Sequence, residues 1–136
     1  MYTNDFAKLW FKLSKDMKTY METQLAPTLT EGQLHVLELL RANDKMKPSD
    51  FIAYLETTPA AITTLLDRME KGGLIVRERD GHDRRIVWIK PTELGHSECT
   101  RGVEVREQFL NSHLNRISAH NQQLLVYLLG KIANAS

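Results

Sequence analysis

Between Thr3 and Tyr20 the apolar residues Phe6, Trp10, Leu13, Met17 and Tyr20 recur in steps of three and four, which places them on one face of an α-helix with lysines on the other. Leu25-Ala-Pro27 breaks that pattern. Thr30-Glu-Gly-Gln33 then has the spacing of a capping box ahead of Leu34, Leu37 and Leu40, and predicts a second helix near residues 30–42. Pro48 suits the first position of a third helix, Pro48 to Leu55, whose apolar positions are Phe51, Ile52 and Leu55. Pro59 cannot sit inside a helix, but Thr58 can cap a new one that starts at Pro59, so two short helices meet at a tight turn. In this fourth helix Ile62, Leu65, Leu66 and Met69 form the inward stripe, and Gly72-Gly73 ends it.

Leu74 to Arg79 and Arg85 to Lys90 are rich in Ile, Val and Trp and flank Asp80-Gly81-His82-Asp83-Arg84, a tip of turn formers, so they predict a β-hairpin that Pro91 closes. Thr92 caps a long helix with apolar positions at Leu94, Val103, Leu110, Leu114 and Ile117. Ser118 begins the last helix, with Leu124, Leu125, Leu128 and Ile132. The pattern predicts one domain over residues 1–136, mainly α with a small β-hairpin wing. Residues 30–91 are expected to form a winged helix-turn-helix, and 1–25 with 92–136 a helical platform for homodimerisation. A two-fold dimer would set two reading helices about 34 to 36 Å apart, one turn of DNA.

Composition narrows the classes. A 42% hydrophobic and 26% charged chain with no long apolar run is expected to be soluble, and Asp5, Lys8, Lys12 and Lys15 interrupt any secretory signal. With a single cysteine, Cys99, no intrachain disulfide framework is available, and a cytoplasmic location is expected. The net charge is only +1, so affinity for nucleic acid has to come from placed residues. Between Arg77 and Lys90 five basic residues face three acidic ones, a local and modest excess.

A helix capped at Thr58 turns its early residues into a DNA groove. Thr58, Pro59, Ala60, Ala61, Thr63, Thr64 and Arg68 are therefore expected at DNA, with the threonines toward base edges, the alanines permitting close approach and Arg68 toward phosphate. At the wing, His82, Asp83, Arg84 and Arg85 are expected at DNA, with Asp83 orienting a guanidinium through a charge-assisted pair and Arg85 alternatively bracing the wing. Phe6, Trp10 and His35 suit an effector pocket for a phenolic or carboxylate ligand, against the plainer reading of core or dimer interface. Cys99 follows His96 by three residues, so a shared helix face could lower the thiol pKa and permit redox sensing; a small packed residue is the alternative. His35, His113 and His120 lack a tight ligand spacing, and no metal site, cofactor or catalytic residue is expected. A winged-helix protein-interaction module without DNA binding, and a redox- or metal-responsive regulator, stand as alternative functions.

These anchors together resemble the MarR family of bacterial winged-helix regulators. The resemblance rests on Ile62-Thr-Thr-Leu65-Leu-Asp67-Arg68-Met69-Glu-Lys-Gly72-Gly73-Leu74, on Arg77, on Asp83-Arg84-Arg85 and on Thr92-Glu93-Leu94-Gly95. The family's wing motif has an acidic residue two positions before an arginine, here Asp83 and Arg85. Pro91 departs from the leucine common before that threonine and is expected to shorten the second wing strand. The resemblance implies a homodimer bound to a pseudo-palindromic double-stranded operator, usually a repressor, and often released by a small aromatic or lipophilic effector.

Overall fold

A computed structural model describes residues 1–134. Local capping chemistry sets most element boundaries. Helix α1 spans Thr3–Leu25, α2 Glu31–Asn43, α3 Pro48–Leu55 and α4 Pro59–Lys71. Strands β1 (Ile75–Arg79) and β2 (Val87–Pro91) follow, then α5 (Glu93–Leu114) and α6 (Ala119–Ala133). The Thr30 hydroxyl accepts from the Gln33 N–H while the Gln33 amide oxygen accepts from the Thr30 N–H, the reciprocal capping box that the spacing predicts. Thr58, Thr92 and Ser118 each accept from the N–H three residues on, so α4, α5 and α6 start at the expected positions. Gly73 takes φ +77, a left-handed exit from α4 that glycine adopts without Cβ strain.

Two expectations about the wing are corrected, and one helix end falls where the sequence breaks. Helix α1 ends at Leu25, at the break the sequence places there, and Met21 and Leu25 carry its periodic stripe into the core. Arg85 belongs to the wing turn rather than a strand, since the Ile86 N–H donates to the Asp83 carbonyl and the ladder begins only at Arg79↔Val87. Pro91 does not shorten β2: it is the last residue of that strand, paired with Ile75, at a strand end where a missing N–H is tolerated.

The core gathers Met21, Leu25 and Leu29 with Leu34, Leu37 and Leu40 of α2, Phe51 of α3, Ile62, Leu66 and Met69 of α4, and Ile75 and Ile89 of the hairpin. Leu65, expected in the inward stripe of α4, is only half-buried. A backbone bridge between Met46 and Ile89 ties the α2–α3 connection to the wing. Helix α5 departs most from expectation. Its buried face is Gly95, Glu98, Cys99, Gly102 and Phe109, whereas Leu94 and Leu110 are exposed. Small residues face inward because α5 lies close to its neighbours. A Cβ at Gly95 would stand 2.2 Å from the Leu74 carbonyl oxygen, and one at Gly102 would stand 2.6 Å from a Leu34 methyl.

Candidate nucleic-acid interface

The exposed face of α4 follows from the burial of the opposite one. With Ile62, Leu66 and Met69 in the core, Thr58, Pro59, Ala60, Ala61, Thr63, Thr64 and Arg68 are all exposed. The Thr63 hydroxyl donates to the Pro59 carbonyl at 3.0 Å and the Thr64 hydroxyl to the Ala60 carbonyl at 3.1 Å. Both hydroxyl protons are thereby occupied within the helix, leaving an acceptor lone pair and a methyl group on each threonine to meet anything docked there. Ala60, Ala61, Thr64 and Arg68 line a shallow groove whose other wall includes Thr30 and Gln33 at the start of α2.

The wing is fastened to this helix by Arg77. Its guanidinium spans from β1 to Glu70 at 2.6 Å and Asp67 at 2.8 Å, both on α4. The side chain is about a quarter exposed, so the fork is partly shielded from solvent, where charge-assisted pairs hold geometry best. Sequence reading singles out Arg77 only as a motif position; its two carboxylate partners lie seven and ten residues away, so the fork exists only once β1 docks on α4.

At the wing tip Asp83 holds Arg85 through three contacts at 3.0 Å: its carboxylate accepts from the Arg85 backbone N–H, Nε and Nη2. The hydrogen bonds from Arg85 lower the Asp83 pKa, and the same contact raises that of the guanidinium. Arg85 is nevertheless 91% exposed at its side chain, so the pair organises the turn and adds little stability. Arg84 is exposed and has no carboxylate partner among the described residues, while its carbonyl accepts from Arg79 at 2.7 Å. His82 is exposed at the apex. Asp80 curls the tip by accepting from the His82 and Asp83 N–H groups, both at 2.9 Å, and from the Trp88 indole at 2.8 Å. The indole bond first, then the two backbone donors, hold its carboxyl down at about 2.

The residues assigned to an effector pocket are brought together only in part. Trp10 lines a cavity of about 670 Å³ with Met17, Phe109, Leu110, His113 and Leu129, between α1, α5 and α6. Phe6 stacks on Trp10, with ring centroids 6.1 Å apart, without lining that cavity. His35 lies on another surface, in a depression it shares with Glu38, Tyr54 and Leu55. Residue type alone groups the three, and His35 sits on α2, whose own apolar residues are buried against the core. The His96–Cys99 pairing is also corrected. His96 is exposed and Cys99 is 1% exposed, and burial pushes the thiol pKa up rather than down. Among the described residues no group of three or more His, Cys, Asp or Glu side chains is placed to hold a metal ion. No described helix is long and apolar enough to cross a membrane.

Two arginines that sequence reading passed over hold this frame together. Arg101 of α5 donates to Glu98 at 2.6 Å, to the Gln24 and Leu25 carbonyls at 3.1 and 2.8 Å, and to Thr28 at 2.9 Å, so it caps the end of α1. Burial acts to raise the Glu98 pKa, but the bonds from Thr28 and Arg101 outweigh it and lower it. Arg106 pairs with Glu38 across α5 and α2. Only the carbonyl and carboxylate partners, more than sixty residues away, mark either arginine as structural.

A capped helix exposed beside an arginine-tipped hairpin defines a winged helix-turn-helix protein. The MarR family model matches residues 29–87. Among curated proteins the chain is 31% identical over 110 residues to "Transcriptional regulator HosA" of Escherichia coli O157:H7, covering 79% of this chain and 80% of that one. It is 27% identical over 128 residues to "HTH-type transcriptional repressor MdtR" of Bacillus subtilis (strain 168), covering 94% and 81%. Among solved structures, YusO from Bacillus subtilis matches with a TM-score of 0.80 at 25% identity over 98% of this chain and 93% of that one. A mutant MarR from E. coli complexed with operator DNA shares the fold, with a TM-score of 0.77 at 22% identity over 98% and 99%. The chain belongs to the MarR family, and shares with these relatives the class of helix-turn-helix transcriptional regulators.

Proposed function

We propose that this protein is a DNA-binding transcriptional regulator that acts as a homodimer on a pseudo-palindromic operator, represses transcription there and releases the operator when a small apolar ligand binds. The observation that carries the reading is the fully exposed face of α4 clamped by Arg77 to a wing whose Arg84 has no carboxylate partner among the described residues. In this account residues 30–91 read DNA, and 1–25 with 92–136 dimerise. Thr63 and Thr64, with their hydroxyl protons bonded inward, accept from base amino groups or touch a thymine methyl, and Arg68 meets phosphate. Arg84 enters a groove or meets phosphate, whereas Arg85, held by Asp83, chiefly braces the turn.

Dimerisation is supported by apolar surface that the chain leaves uncovered. Phe6, Leu9, Trp10 and Phe11 of α1 and Val126, Tyr127 and Ile132 of α6 are each about half or more exposed, and α6 has no buried residue. The cavity beside Trp10 is lined mostly by apolar groups, with Lys18, Glu31 and His113 among its walls, and suits a small aromatic or lipophilic ligand.

A gel shift with DNA from upstream of the protein's own gene, against scrambled competitor at physiological salt, tests the reading. A specific complex is expected. Its absence would favour a winged-helix protein-interaction module, to which the net charge of +1 gives some support.

A further inference from the structure

The wing contains a set of contacts that neither the helix-turn-helix pattern nor the wing motif requires. Trp88 on β2 reaches back eight residues to give its indole proton to Asp80, whose other carboxylate oxygen already gathers the His82 and Asp83 N–H groups. Lys45 lies over the indole ring, 4.5 Å from its centroid, and belongs to the connection whose next residue, Met46, bridges Ile89. On the far side of the tip, Arg79 donates to the Arg84 carbonyl at 2.7 Å. The backbone on either side of Arg84 is therefore held from both arms of the hairpin. Asp80 is an acceptor for three donors, and losing the indole would leave it only the two turn amides.

We propose that Lys45, Asp80 and Trp88 form a brace that fixes the curl of the wing tip and so the direction in which Arg84 leaves it, which makes Trp88 a positioning residue for DNA binding. The inference rests on the DNA-binding reading above. A wing tip free to sample several curls would have to be ordered on contact, and that entropy loss would weaken the complex. The cation over the ring favours the indole orientation that reaches Asp80, and Lys45 carries the restraint back to the helix-turn-helix.

A double-mutant cycle separates positioning from mere stability. Trp88→Phe keeps an aromatic ring for Lys45 and deletes the N–H donor. Operator affinity is expected to fall about three- to tenfold in Trp88→Phe, on the scale of one ordinary hydrogen bond. In an Arg84→Ala background the same substitution should have almost no further effect, because the side chain it positions is gone. Affinity unchanged in Trp88→Phe, or an equal further loss in the Arg84→Ala background, would overturn the proposal. A second readout needs no DNA. Of the two indole N–H resonances, from Trp10 and Trp88, the one missing in Trp88→Phe should lose its protection from exchange in Asp80→Ala; persistence of that protection would also overturn the brace. Absence of any specific complex with the unmutated protein would instead bring down the DNA-binding reading itself.

Discussion

Cys99 shows how one residue's surroundings decide its chemistry. Its spacing from His96 fits a thiol activated by an imidazolium, but burial inside the α2–α5 contact places it in a dry environment where the neutral thiol is favoured. The native protein should react with a thiol reagent on the order of 100-fold more slowly than the urea-unfolded chain. Equal rates would show that the thiol is accessible. The wing arginines make the complementary case. Arg84 and Arg85 are adjacent and both exposed, yet only Arg85 has its charge engaged by a carboxylate. At equal charge removed, Arg84→Ala should therefore weaken DNA binding more than Arg85→Ala, by about tenfold or more for a groove contact. Equal losses from the two would contradict that division of roles. The sequence offers Asp83 as a partner and a bracing role for Arg85, and the turn of the chain back onto Asp83 decides which arginine it engages.

Among the elements, α5 packs by omission. Gly95 and Gly102 let the helix approach the start of β1 and α2. Gly95→Ala would press a methyl group against the Leu74 carbonyl, which is backbone and cannot swing aside. It should cost about 3 kcal/mol or prevent folding, whereas Gly102→Ala meets Leu34 side-chain atoms and should cost about 1–3 kcal/mol in urea unfolding. A reversed order would show that the β1 backbone yields more readily than the core leucine. Helix starts were legible in sequence because caps are local: Thr30 with Gln33, Thr58 before Pro59, Thr92 with Gly95. The inward face of α5 was not legible. Leu94 and Leu110 outrank glycine and cysteine in hydrophobicity, and only the partner helix reveals that the close contact calls for small residues. The roles of Arg77, Arg101 and Trp88 escaped for the same reason, since their partners adjoin them only after folding.

For the whole molecule, the uncovered surfaces say most. The first half of α1 and all of α6 present apolar side chains that the chain itself does not bury, a cost that association with a second copy would remove. Sedimentation at micromolar concentration should give twice the chain mass, and Leu128→Glu with Ile132→Glu should shift the protein toward monomer; a wild-type monomer would remove the platform from the account. In the proposed function a few placed residues, rather than bulk charge, give this chain its affinity for DNA. The most direct measurement is the affinity of the unmutated protein and of the Arg84→Ala, Arg85→Ala double mutant for a duplex from upstream of its own gene across a salt series. The account predicts specific binding whose logarithm falls steeply with the logarithm of salt, and a double mutant that binds more weakly with a shallower slope. An unchanged affinity and slope in the double mutant, or no preference for that duplex over a scrambled one, would contradict it.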